Sequence, residues 1–217
     1  MKKDNVGILM AEYHLTTPLS ENDVRQLNIG DTVFLSGDVF LSRDEAHERA
    51  LKYHQEGQDL PISIEGLAVY HCGPVVRRTN GGWDVIAAGP TTSTRMDLFE
   101  AEYIEKFKVR AVIGKGGMGD NTAAAMKKFG CVYLAFTGGA AVLAAKGIKK
   151  VKGFYWEDLG TPEGMWHFEI DNFGPMVVGI DAKGNSLYKN VSLTVQKNIA
   201  SAYEIIGIRK EQHSSPD

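Results

Sequence analysis

The sequence predicts a mixed α/β fold in one domain, on three observations. The first half joins extended apolar runs through strong turn signals. The middle alternates short apolar runs with helix-like ones. No repeat or low-complexity linker divides the 217 residues, of which 43% are hydrophobic. The expected domain covers residues 1–200, and the polar end, 201–217, is expected as a partly disordered tail.

In chain order, Ser20 with Asp23 forms a capping-box pattern, with Asp for the usual Glu or Gln, and starts a short helix. "NIGD" is a turn, and one or two strands lie around it in "TVFLSGDVFLS". "RDEAHERALKYHQEG" is a helix with Ala46, Ala50 and Leu51 on one side and Gly57 as its stop. "GLAVYHCGPVV" reads as a strand. "TNGG" is a hairpin turn between extended runs. "TTSTRMDLFEAEYIEKF" is a helix whose entry offers hydroxyls for capping. The strand "VRAVIG", a glycine loop and the helix "NTAAAMKKFG" follow. Then come the strand "CVYLAF", a small-residue turn and helix in "TGGAAVLAAKG", and further strands through "GFYWEDLG" and "MWHFEIDNFGPMVVGI". "DAKGN" is a turn, and a helix begins near Val195.

Composition removes several classes of function. Net charge is −3 with both signs mixed along the chain, so a nucleic-acid surface is not indicated. No apolar run reaches membrane-span length, and the N-terminal run is broken by Asp4, Glu12 and His14, against a signal peptide. Cys72 and Cys131 make neither a disulfide framework nor an iron–sulfur ligand set. A cytoplasmic protein is the expectation. The six histidines are scattered without an H-E-x-x-H pattern, and no Ser-His-Asp or G-x-S-x-G arrangement is seen.

The glycine loop "GKGGMG" spells G-x-G-x-x-G with Gly114, Gly116 and Gly119. A dinucleotide site wants an acidic residue roughly 20 positions further on, and Cys131 to Ile148 contains none. Gly114, Gly116 and Gly117 can instead bring backbone N–H groups and Lys115 towards a small anion at a helix start. The plain alternative is a tight strand–helix turn with an exposed lysine. In "AAGPTTSTRMD", hydroxyls from Thr91 to Thr94 precede Arg95 at a helix start. That suits a carboxylate or phosphate, or an ordinary capped helix with a structural ion pair. Arg43 opens a helix, where the dipole disfavours it, which points to a role for it or to an Arg43–Asp44 or Arg43–Glu interaction on the surface. His47, one turn later, reads as structural. "FTGGAAVLAA" reads as helix-on-sheet packing. Three cations on helix-start loops, several hydroxyls and no electrophile amount to half an active site.

"GDVFLSRDEAHERA", "HCGPVV", "AAGPTTSTRMD", "GKGGMG" and "FTGGAAVLAA", in this order, resemble the beta subunit of two-subunit class I fumarate hydratases. The L-tartrate dehydratase beta subunit is a close relative of that family. The resemblance covers about Thr16 to Tyr188 and implies a swivelling β/β/α domain and reversible hydration of fumarate to L-malate. It implies a [4Fe–4S] cluster held by an alpha subunit, with this chain holding no metal, and self-association through the heteromer. Arg43 and Arg95 would bind substrate carboxylates, Lys115 a carboxylate or the developing charge, and Thr91 would take the C3 proton. Thr94, before "RMD", loosens the choice between fumarate and tartrate, while Asp97 leans to fumarate. A non-catalytic anion- or nucleotide-binding module is the alternative from another class.

Overall fold

The spine of the molecule is a long antiparallel strand pair. In this computed structural model, which describes residues 10–206, β2 (Thr32–Leu41) runs against β9 (Met165–Ile180) from Thr32↔Val177 to Leu41↔Trp166. Around the pair lie β1 (Glu12–Thr16), α1 (Glu21–Arg25), α2 (Asp44–Gln55), β3 (Ala68–Tyr70), β4 (Val75–Thr79) and β5 (Gly82–Ala87). They are followed by α3 (Asp97–Phe107), β6 (Ala111–Gly114), α4 (Asp120–Phe129), β7 (Val132–Ala135), α5 (Ala141–Lys146), β8 (Ile148–Tyr155) and α6 (Leu187–Ile205). The expected mixed α/β class is what the structure shows.

The main sheet has the order β1-β2-β3-β6-β7-β9-β8, and β9 also pairs with β2. Strands β2, β3, β6, β7 and β9 therefore close on themselves. Neighbours β2, β3, β6 and β7 are mutually parallel. Their carboxyl ends, Leu41, Tyr70, Gly114 and Ala135, consequently share one end of the sheet. In parallel α/β sheets that end is where ligand-binding loops emerge.

Strand alternation divides two cores. Ala68 and Tyr70, Ala111 and Ile113, and Val132 and Leu134 face one cluster with Trp166, Phe168 and Phe173. Val69, Val112 and Tyr133 face the other, with Tyr103, Ile104 and Met126 from the helices. Both faces of these central strands are thus buried, which is why they read as unbroken apolar runs.

The Ser20 capping box forms as expected, with Ser20 and Asp23 satisfying each other's backbone N–H. Other local expectations change. β1 had no counterpart, because "EYHLT" alternates exposed and half-buried positions and carries polar residues. β3 stops at Tyr70 rather than running through Cys72 and Gly73. A Cβ on Gly73 would lie 2.7 Å from the Pro162 carbonyl and 2.9 Å from Arg43 Nη1. The hydroxyls ahead of α3 do not cap it. A 3-10 turn, Ser93–Arg95, intervenes, and α3 starts behind Met96 with no side-chain cap. α6 begins at Leu187, ahead of Val195, and runs past residue 200. The rest of the expected tail, 207–217, lies outside the described residues.

Candidate active site

Three loops at the carboxyl end of the sheet carry the candidate residues. Arg43 follows β2 and is the N-cap of α2, with no side-chain cap bond of its own. The unfavourable charge is offset by Glu163, from the segment before β9. Arg43 Nη2 lies 3.0 Å from Glu163 Oε1, and the Glu45 N–H donates to Glu163 Oε2 at 3.4 Å. A carboxylate therefore sits where the α2 N-terminus and a guanidinium both attract one. Arg43 Nε is buried without a partner among the described residues.

The Thr91–Arg95 loop and the Lys115 loop are locked together. The Thr91 N–H donates to the His71 carbonyl at 2.7 Å, which pins the loop to the end of β3. Thr92 bridges to Lys115, and the Ser93 N–H donates to the Lys115 carbonyl at 2.8 Å. A Cβ on Gly114 would lie 1.8 Å from Ser93 Oγ, so only glycine allows this approach. Gly116 and Gly117 take φ of +84° and +80°, the left-handed region glycine favours.

Gly117 N–H donates inward to Tyr133 Oη, and Gly119 N–H donates to Asp97 Oδ1 at 2.8 Å. Thr122 Oγ1 also donates to that oxygen, at 2.7 Å. Asp97 thus caps α4 from outside the helix.

Arg95 Nη2 lies 3.1 Å from Asp44 Oδ2. Asp44 is Arg43's neighbour, so the two guanidinium loops are joined through the start of α2. Lys115 is half-buried and has no ion pair among the described residues. The structure thus brings the Arg43, Thr91, Arg95 and Lys115 loops to one end of the sheet. The N–H of Gly117 is turned inward, and Gly114 serves packing. "FTGGAAVLAA" packs only in part: Phe136 and Ala144 are buried and Ala141 closes on Gly89, where a Cβ would lie 2.9 Å from Ala141 Cβ, but Val142 and Leu143 are exposed.

Directly beneath lies a polar cluster that chain order does not display. The histidines are scattered in sequence, yet His47 and His71 meet Glu100: Nε2 of each faces Glu100 Oε2, at 3.3 Å and 2.9 Å. His71 Nδ1 lies 2.9 Å from Ser93 Oγ. The fold thereby assembles a Ser93–His71–Glu100 arrangement where the sequence showed no Ser-His-acid pattern. Ser93 is wholly buried, so it is not an exposed nucleophile. Burial lowers the pKa of His71, with Glu100 pulling the other way. Burial also opposes ionisation of Glu100, but the two imidazoles outweigh it and hold the carboxyl down to about 2. No signal in the sequence marked Glu100, Ser93 or Glu163. Their roles come from long-range packing alone.

Both cysteines are buried, and burial pushes the Cys72 thiol up to about 12 and the Cys131 thiol up as well. An iron–sulfur cluster takes three or four cysteine ligands, and this chain has two, so these residues do not make a cluster ligand set. No described helix is long and apolar enough to cross a membrane.

Arg43, Arg95 and Lys115 thus stand on loops at the carboxyl ends of four parallel strands in a mixed sheet, in an α/β domain. The chain belongs to the family described as Fumarase C-terminus, which it matches over residues 3–191. It is 38% identical over 191 residues to a protein of Methanocaldococcus jannaschii named "Putative L(+)-tartrate dehydratase subunit beta", covering 88% of this chain and 96% of that one. It is 39% identical over 173 residues to the L(+)-tartrate dehydratase subunit beta of Escherichia coli (strain K12), covering 80% and 85%. It is 41% identical over 178 residues to a Geobacillus stearothermophilus protein named "Putative fumarate hydratase class I", covering 82% of this chain but 34% of that one. The family is thus one of hydro-lyase subunits and domains.

Proposed function

We propose that this chain is the beta subunit of a two-subunit class I fumarate hydratase, which interconverts fumarate and L-malate together with an alpha subunit. The observation that carries the reading is the interlock of "GPTTSTRMD" with "GKGGMG". It places Thr91, Arg95 and Lys115 on loops joined by the Thr92–Lys115 bridge, and Asp44 ties Arg95 to the Arg43 helix.

On this reading Arg43 and Arg95 bind the two carboxylates through forked N–H donors. Lys115 stabilises a carboxylate or the charge that develops next to it. Thr91 removes the C3 proton in the malate-to-fumarate direction. A threonine hydroxyl is a weak base, so a carboxylate of the partner activates it. Two cysteines are too few to hold a cluster, so on this reading the [4Fe–4S] group belongs to the partner. When bound, it supplies Lewis acidity towards the substrate hydroxyl and carboxylate. The domain acts as a swivelling β/β/α unit against that partner, in the cytoplasm, where two free cysteines remain reduced.

The second reading is an L-tartrate dehydratase beta subunit. The tartrate-named relatives support it, because they match along 85% and 96% of their own lengths. Asp97 no longer favours fumarate, because its carboxylate is engaged by Gly119 and Thr122.

The test is co-purification with a cluster-bearing alpha partner, followed by turnover of fumarate, malate and L-tartrate. The chain alone is expected to be colourless and inactive, and robust fumarase activity from it alone would sink the two-subunit reading. Turnover of tartrate in preference to fumarate would select the second reading.

A further inference from the structure

The proposed reaction leaves unused a continuous run of polar groups beneath the site. Gly117 N–H donates to Tyr133 Oη at 3.3 Å, and Tyr133 O–H donates to Ser93 Oγ at 3.0 Å. Ser93 Oγ lies 2.9 Å from His71 Nδ1, and His71 Nε2 lies 2.9 Å from Glu100 Oε2. Across the carboxylate, His47 Nε2 faces the same oxygen at 3.3 Å. His47 Nδ1 lies 2.9 Å from both Ser42 Oγ and the Arg43 carbonyl.

The direction of the run follows from its end. An ionised carboxylate only accepts, so His71 Nε2 carries the proton. In the neutral ring Nδ1 then accepts from the Ser93 hydroxyl. Ser93 accepts from Tyr133, and Tyr133 accepts from Gly117. The Tyr133 and Ser93 hydroxyls each donate once and accept once, so the run from Gly117 to Glu100 Oε2 has one polarity, while Glu100 Oε1 and His47 Nε2 are buried without a hydrogen-bond partner among the described residues. Burial, which opposes a second proton on His71, supports the neutral form.

The run also touches each loop that carries a proposed site residue. Gly117 belongs to the Lys115 loop, and Ser93 to the Thr91–Arg95 loop. The His71 carbonyl receives the Thr91 N–H, and the His47 backbone N–H donates to the Arg43 carbonyl at 2.9 Å.

We infer that Tyr133, Ser93, His71 and Glu100 are positioning residues, forming a one-directional hydrogen-bond chain that sets the Thr91, Lys115 and Arg43 loops relative to one another. The catalytic part of this inference rests on the proposed function. The structural part does not. Misplacing reacting groups by about 1 Å costs up to ~100-fold in rate, so a small loosening of this chain reads out in turnover before it reads out in folding.

The test uses Tyr133→Phe, which removes one hydroxyl and keeps the ring, in the complex with its alpha partner. The expected result is a fall in kcat of about tenfold, with KM changed less than about twofold. Amide exchange at Gly117 should rise about tenfold, as for loss of one buried hydrogen bond. Ser93→Ala serves with the same readouts if Tyr133→Phe fails to fold. Nitrogen-15 shifts of the unsubstituted chain should report His71 as the neutral Nε2–H tautomer. Unchanged kcat together with unchanged Gly117 protection overturns the inference, as does a His71 proton on Nδ1. Exchange and tautomer are read without substrate. A complex that turns over neither fumarate nor tartrate therefore defeats the functional reading, while these two measurements still decide this one.

Discussion

Glu163 places a carboxylate oxygen 3.0 Å from the Arg43 guanidinium at the start of α2. A carboxylate of the chain itself thus pairs with the guanidinium proposed to bind a substrate carboxylate. Both side chains are mostly buried, with 18% and 22% exposure. The pair therefore holds Arg43 in place more firmly than an open surface pair does.

Removing that carboxylate should favour an external one. In Glu163→Gln, the KM for the dicarboxylate is expected to fall several-fold in the assembled enzyme, on the order of 1 kcal/mol or less for a part-exposed pair. A rise in KM would mean instead that the hold of Glu163 on Arg43 matters more than its competition with an external carboxylate.

Arg95→Ala should cost about 2–5 kcal/mol of transition-state binding in the complex, as for truncating one partner of a desolvated charge pair. Steady-state kcat/KM measures it. An unchanged value would remove Arg95 from the site.

Gly114→Ala tests the loop interlock without touching a charge. Its Cβ would meet Ser93 Oγ at 1.8 Å, and overpacking of this kind costs about 1–3 kcal/mol. The expected result is a lower urea midpoint with an unchanged slope. A midpoint equal to that of the parent would show that the two loops can separate freely.

Asp97→Ala should remove the outside cap of α4. The loss is about 0.5–2 kcal/mol, the usual range for a helix cap, with faster exchange at Gly119. Fumarate-to-tartrate preference should not change, because the carboxylate faces α4. A switch in preference would return Asp97 to the substrate.

The buried cluster predicts acid sensitivity in two stages. The folded-state pKa of His71 lies below its ordinary 6.5, so below that pH the unfolded chain binds a proton that the folded chain refuses. Stability is therefore present above 6.5 and falls as pH drops through that value. Glu100 is held at about 2 against an ordinary 4.5, so a further loss runs from about 4.5 down towards 2. Urea midpoints between pH 7.5 and 4 check the sign. Flat stability from 7.5 to 5.5 would contradict the buried neutral His71.

Much of this protein was legible in order along the chain. Local rules sufficed for Ser20 with Asp23 at α1, for the "TNGG" hairpin and for the strand–loop–helix at "GKGGMG", because capping, turn geometry and strand alternation act within a few residues. The motif order also pointed to the family. β1 and the start of α6 escaped because their positions are exposed or half-buried and carry no sharp apolar period.

Sequence alone determined the strand–helix alternation and the residue types on the three helix-start loops, since these depend on neighbours. Tertiary structure decided which end of the sheet those loops share, because only pairing of β2, β3, β6 and β7 sets their carboxyl ends side by side. It also decided that Glu163 reaches Arg43 and that Glu100 joins His47 and His71. Those contacts join residues far apart in the chain, and a buried charge takes whatever partner the packing brings within hydrogen-bond reach.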